Sequence, residues 1–261
     1  MAKLSKQVDN RLIVSGKVVA SARTHAAEIA KVLAAKAEEA QGAAKAPPAK
    51  HFEATIEAYA ATLEHSAATL RSAELTYSAE QADDVAPREK RDKLTADAFG
   101  LMVKVRSTVE STMGAAGLKT YGLEGETPRS PRAVASHMGN VVSLMEKQPA
   151  TVTDELGTTF DTKAAVAVIN PKRDALESVL TDVDREAREL EDALGKRDRA
   201  VEAWIDAYQG VATAFSGMCR LAGRKDLAER VRPTSRTVSG EETGEEGPPQ
   251  GGQQDGGTGT P

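Results

Sequence analysis

Along several stretches between residues 10 and 223 apolar side chains return every three or four positions, the spacing of one face of an α-helix, and the pattern is clearest from residue 170 onward. There Leu176, Leu180, Val183, Ala187, Leu190 and Leu194 form one seam, and Val201, Trp204, Tyr208, Val211, Phe215 and Met218 form a second. Between them lies Gly195-Lys196-Arg197-Asp198, which puts Arg197 where the register calls for an apolar residue. The expected structure is a bend there, folding residues 171–223 into two antiparallel helices.

Upstream, residues 10–42 predict a first helix, rich in alanine and ended by Gly42 and the Pro47-Pro48 pair. The seam resumes at Phe52 and runs through Ile56, Tyr59, Leu63, Leu70, Ala73 and Tyr77. It then loses four places, at Glu80, Asp84, Pro87 and Arg91, before Leu94, Ala98, Met102, Val105, Val109 and Met113 restore it. A turn near Asp83 to Glu89 accounts for that lapse, with Pro87 tolerated in the first turn of the outgoing helix. Gly114 and Gly117 are expected to end this helix, and a loop to follow. Ser130-Pro131 opens a fourth helix bearing Val134, Met138, Val141 and Met145 on one side. Residues 150–162 read as polar and turn-like, and 164–169 as a short helical piece before Asn170 caps the fifth helix with Pro171 at its first position.

The two long stretches resemble each other. At an offset of 106, Lys90-Arg91-Asp92 matches Lys196-Arg197-Asp198, Ala116-Gly117 matches Ala222-Gly223, and Leu70, Val105 and Lys119 match Leu176, Val211 and Lys225. The chain is therefore expected to be all-α, a bundle of about six helices over residues 1–236. Two heptad-patterned hairpins, each preceded by a shorter helix, would arise by duplication of about 10–125 and 126–236. The last segment differs in kind. Residues 237–261 hold five acids, eight glycines and no Lys or Arg, and Val238 is their one sizeable apolar side chain. Such a segment cannot bury enough to offset its ordering entropy, so a disordered acidic tail is expected from Thr237.

Charge changes the picture only locally. The formal net charge of −5 equals the tail's acids, which leaves the body with 34 groups of each sign and argues against a dedicated nucleic-acid binder. One basic stretch stands out just ahead of the tail: Arg220, Arg224, Lys225, Arg230, Arg232 and Arg236 against Asp226 and Glu229. It is a candidate contact for an anionic partner. Cations also suit the C-terminus of the helix ended by Ala222-Gly223, where the dipole is negative. No apolar run approaches a signal sequence or the roughly 18–20 residues that cross a bilayer. A cytoplasmic location, with no membrane span, is the resulting expectation.

Candidate chemistry is sparse. The single cysteine, Cys219, lies beside Met218 on the seam and can form neither an internal disulfide nor a multi-thiolate metal site. The histidines His25, His51, His65 and His137 fall on separate segments, and no Glu-x-x-His occurs to clamp a metal from one helical face. Neither Gly16-Lys17 nor Gly195-Lys196 has the glycine and hydroxyl spacing of a phosphate loop. Runs such as residues 182–189, where carboxylates interleave with arginines, read as solvated faces laced with ion pairs.

No catalytic residue, cofactor or metal ligand is therefore assigned. The expectation is a non-catalytic interaction or scaffold protein with a protein partner or a second copy of itself. Two alternatives are kept: an enzyme or metal carrier whose site assembles only in three dimensions, and an anion-surface binder working through residues 220–236.

Overall fold

The computed structural model describes residues 3–155 and 157–241. Five helices of 17 residues or more dominate it: α1 (Lys6–Gln41), α2 (Ala49–Asp83), α3 (Val85–Thr120), α4 (Pro131–Lys147) and α5 (Thr162–Leu221). Strands β1 (Thr151–Thr153) and β2 (Thr159–Asp161) precede α5, and the short helices α6 (Lys225–Val231) and α7 (Ser235–Ser239) follow it.

The chain packs as two units. The terminal unit combines residues up to 76 with those from 196 onward, and the central unit is residues 77–195. In the terminal unit Val8, Ile29 and Leu33 of α1 meet Ile56, Leu63 and Leu70 of α2 and Trp204, Tyr208, Phe215 and Cys219 of α5, with Leu227 and Val231 of α6 closing the core. Fully buried alanines, Ala30 and Ala60 among them, hold space for close helix approach while burying little area themselves. In the central unit Met102 and Val109 of α3 pack with Val134, Met138, Val141 and Met145 of α4 and with Ile169 and Leu176 of α5.

Local chemistry sets several boundaries where the pattern puts them. Ser5 caps α1 and accepts from the Val8 N–H, and Gly42 ends it at φ 82°. Ser130 stands before Pro131 at the start of α4. Gly223, at φ 81°, turns the chain after α5, with the Arg224 N–H donating back to the Cys219 carbonyl at 2.8 Å.

The expected hairpins do not form. Gly195 to Asp198 lie inside α5, which runs unbroken for 60 residues, and Lys90 to Asp92 lie inside α3. The α2–α3 junction is a single residue, Asp84, which keeps right-handed helical torsions (φ −66°, ψ −19°) and so does not reverse the chain. Its carboxylate pairs with Arg88 at 2.6 Å instead of capping the backbone.

The lapses in the seam have another cause. Along α2 and α3 the packing changes from the terminal core, ending near Ala73, to the central core, beginning near Leu94. Along α5 it changes from the central core, ending near Leu180, to the terminal one at Ala200. Gly195 is tolerated because a helix-interior glycine costs only about 1 kcal/mol relative to alanine. Arg197 is tolerated because it finds a carboxylate: its Nε donates to Glu74 Oε2 at 3.0 Å, while the Ser5 N–H donates to Oε1 at 2.9 Å.

Four further boundaries differ. α3 is interrupted at Gly114 (φ 62°, ψ −160°) but resumes through Gly117 to Thr120. α5 begins at Thr162, where Asp161 caps the Lys163 N–H, so Pro171 is interior and residues 164–169 belong to the same helix, anchored by fully buried Ile169. Residues 151–153 and 159–161 pair antiparallel, with Val152 opposite Phe160, and Phe160 is buried. With three residues per strand, no alternation was long enough to read. Finally, residues 237–241, expected to open the disordered tail, complete α7 and dock on α1; the rest of that segment, 242–261, lies outside the described residues.

Replacing Glu74 by Ala strips Arg197 of its buried partner and leaves the Ser5 N–H unsatisfied. The expected loss is about 2–3 kcal/mol by urea denaturation, with Arg197→Met similar and the double replacement Glu74→Leu/Arg197→Met recovering much of it. Burial pushes the Glu74 carboxyl up, but the hydrogen bonds from Ser5 and Arg197 outweigh it and hold it below the ordinary 4.5. The stabilisation is therefore complete above that ordinary value and lost as pH falls through the lower folded one. In Glu74→Gln this part of the acid dependence should vanish.

Candidate functional site

The richest polar arrangement lies in the terminal unit, where α7 covers α1 and α5. Trp204 stacks on Tyr208 with ring centroids 5.0 Å apart. The Trp204 indole N–H donates to Ser15 Oγ at 2.8 Å, and Ser15 Oγ donates to the Arg11 carbonyl at 2.8 Å. The Arg11 guanidinium lies 5.5 Å from the Trp204 ring centroid and donates to the carbonyls of Val238 and Ser239. Asn10 donates to the Gly240 carbonyl at 2.9 Å. The free carbonyls at the end of α7 are thus satisfied by α1. Tyr208 Oη and Thr237 Oγ1 approach to 3.3 Å, and Thr234 with Thr237 forms a reciprocal capping box.

Burial and the neighbouring Arg197 push the Arg11 guanidinium down, and Glu74 partly restores it. Every one of these groups is spent on joining helices. Sequence reasoning missed them because Arg11, Ser15 and Thr237 carry no pattern until three segments meet.

The six basic residues proposed from the sequence separate into two sets. Arg224 binds Glu28 at 2.8 Å and Asp226 at 3.2 Å, and these hydrogen bonds, that to Asp226 first, push its guanidinium up. Arg220 pairs with Glu229, Arg232 reaches the same Glu229 at 3.6 Å, and Arg236 reaches Glu241 at 3.8 Å. Lys225 and Arg230 form no ion pair among the described residues.

Three clefts lie near this stretch. One of about 340 Å³ is lined by Arg220, Arg232 and Pro233 among others; one of about 520 Å³ reaches Arg11 and Val238; and one of about 440 Å³ brings Arg230 and Arg232 to Lys17 of α1.

The groups that could hold a metal or act as a nucleophile lie on several elements of the described residues. Their one grouping of three potential ligands is Glu80, Glu186 and Glu189. Arg185 already pairs with two of these carboxylates, at 2.7 Å to Glu186 and 3.1 Å to Glu189. His25 lies 3.5 Å from Glu28, which Arg224 also holds, so the His-x-x-Glu pair is part of a surface ion cluster. His51 and His65 are exposed on α2; His137 is half-buried on α4, and burial pushes its imidazole down. Cys219 is fully buried, and burial pushes its thiol up to about 11. No family model matches the chain, and neither a curated protein nor a solved structure matches it.

Two expectations follow. A thiol both buried and shifted upward is almost wholly protonated at neutral pH, so native Cys219 should react with a water-soluble disulfide reagent only as fast as the terminal unit opens, and at once in denaturant. At Gly240, φ is 76° and an added Cβ would fall 2.6 Å from the Gln7 carbonyl oxygen. Gly240→Ala should therefore release α7, seen as faster hydrogen exchange at Thr237 to Ser239. Truncation after Arg236 should lower the thermal midpoint by a few degrees.

Proposed function

We propose that this protein is a non-catalytic helical interaction or scaffold protein that binds a partner helix along α5. The observation that carries this reading is a seam left outside both cores. Val183, Ala187, Leu190 and Leu194 continue the heptad spacing of α5 beyond Leu180, yet Val183 and Leu190 are only half-buried, Ala187 is exposed and Leu194 is 36% exposed. A repeat of this kind suits pairing with a second helix, from a protein partner or from another copy of the chain. No helix among the described residues is long and apolar enough to cross a membrane, and a cytoplasmic setting belongs to the same proposal.

An internal duplication fits this reading. The terminal unit takes α1, most of α2 and the second part of α5, and the central unit takes α4, the first part of α5 and α3. Each unit therefore holds one shorter helix, the opening part of the long stretch that follows it, and the closing part of the other long stretch. The matched pair Leu70 and Leu176 falls in opposite cores, as does the pair Val105 and Val211.

Leu194→Glu tests the interface. Exposed as it is, Leu194 should leave stability within about 0.5 kcal/mol on replacement, while self-association in sedimentation, or saturable capture of one partner, should be lost. Unchanged association would remove α5 as the interface. Stoichiometric iron, manganese or zinc in the purified protein would instead favour the enzyme or metal-carrier alternative.

A further inference from the structure

We infer that the cleft of about 440 Å³ between α1, α6 and α7 is a binding site for a small amphiphilic anion, a carboxylate or phosphate monoester on a short apolar body. The inference is independent of the α5 interface. The floor of the cleft is apolar: Val14 and Val18 of α1 and Val231 of α6 are buried there, and the Tyr208 ring closes it from α5. Its rim is cationic, with Lys17 from α1 and Arg230 and Arg232 from the end of α6, all exposed.

No carboxylate lines the cleft among the described residues. Among the described residues Lys17 and Arg230 have no ion-pair partner, and Arg232 has only the 3.6 Å approach of Glu229. Three like charges around one concavity repel one another, and an anion seated among them would relieve that repulsion while the valines take its apolar part. A concavity fits one molecule better than a flat charged surface. The neighbouring clefts are poorer in free charge: Arg220 is held by Glu229, and Arg11 is committed to two carbonyls and the Trp204 ring.

Trp204 is the only tryptophan and stacks on Tyr208, so its emission reports on the cleft. The full chain is titrated with octanoate, octyl phosphate, octanol and inorganic phosphate by calorimetry, with Trp204 fluorescence read alongside. The expected result is saturable binding of octanoate or octyl phosphate, whichever head the site prefers. Octanol and inorganic phosphate should each bind at least about tenfold more weakly, and affinity should fall with added salt.

Lys17→Met and Arg230→Gln should each weaken the favoured ligand about three- to tenfold, and Lys31→Met, elsewhere on α1, should not. Circular dichroism separates these effects from misfolding, and the salt dependence of the unaltered protein tests the cationic rim without any substitution. Absence of saturable binding by both amphiphiles overturns the site. So does octanol or phosphate binding as tightly as the amphiphiles, or unchanged affinity in both variants.

Discussion

The contact between Glu74 and Arg197 is the constraint on which the terminal unit turns. Arg197 occupies a seam position in the middle of a 60-residue helix, and Glu74 sits buried in α2 with one oxygen on Arg197 and the other on the Ser5 N–H. A buried carboxylate is costly unless it is both paired and hydrogen-bonded, and this one is both. The arrangement joins the start of α1, the last third of α2 and the middle of α5 at one point. It lets α5 continue through a charged seam position where a hairpin would otherwise be the economical solution.

Long helices also answer the scarcity of large side chains. With four Phe, four Tyr and one Trp in the chain, a single large core would be thin. Two smaller cores each concentrate what is available: Trp204, Tyr208 and Phe215 in one, Tyr121, Phe160 and a set of methionines in the other. The long stretches serve both, which is why their apolar pattern lapses midway. α7 then adds a polar lid over the Trp204–Tyr208 stack, held by Arg11 and Asn10 from α1. The same lid forms one side of the cationic cleft through Thr237.

Much of this was legible in the residues alone. Three-and-four spacing, Ser130-Pro131 and Ala222-Gly223 act over a few residues, so the helical class, the core face of α4 and the end of α5 followed from local propensity and hydrophobic period. The basic stretch was equally visible as a composition bias. Which of its charges are free was not, since Arg224 is neutralised by Glu28, 196 residues away in the chain.

The tertiary structure alone decided the rest, because each remaining choice depended on a partner distant in sequence. A charged residue on a seam reads as a bend until Glu74 is placed beside it. A lapse in periodicity reads as a turn until the helix is seen to pass from one core to another. Thr237 to Glu241 read as tail because five residues bury little by themselves. They become ordered where Arg11 and Asn10 supply donors and Gly240 fits against the Gln7 backbone. Local free-energy preferences are written in sequence order, whereas burial and charge compensation belong to whichever segments the fold brings together.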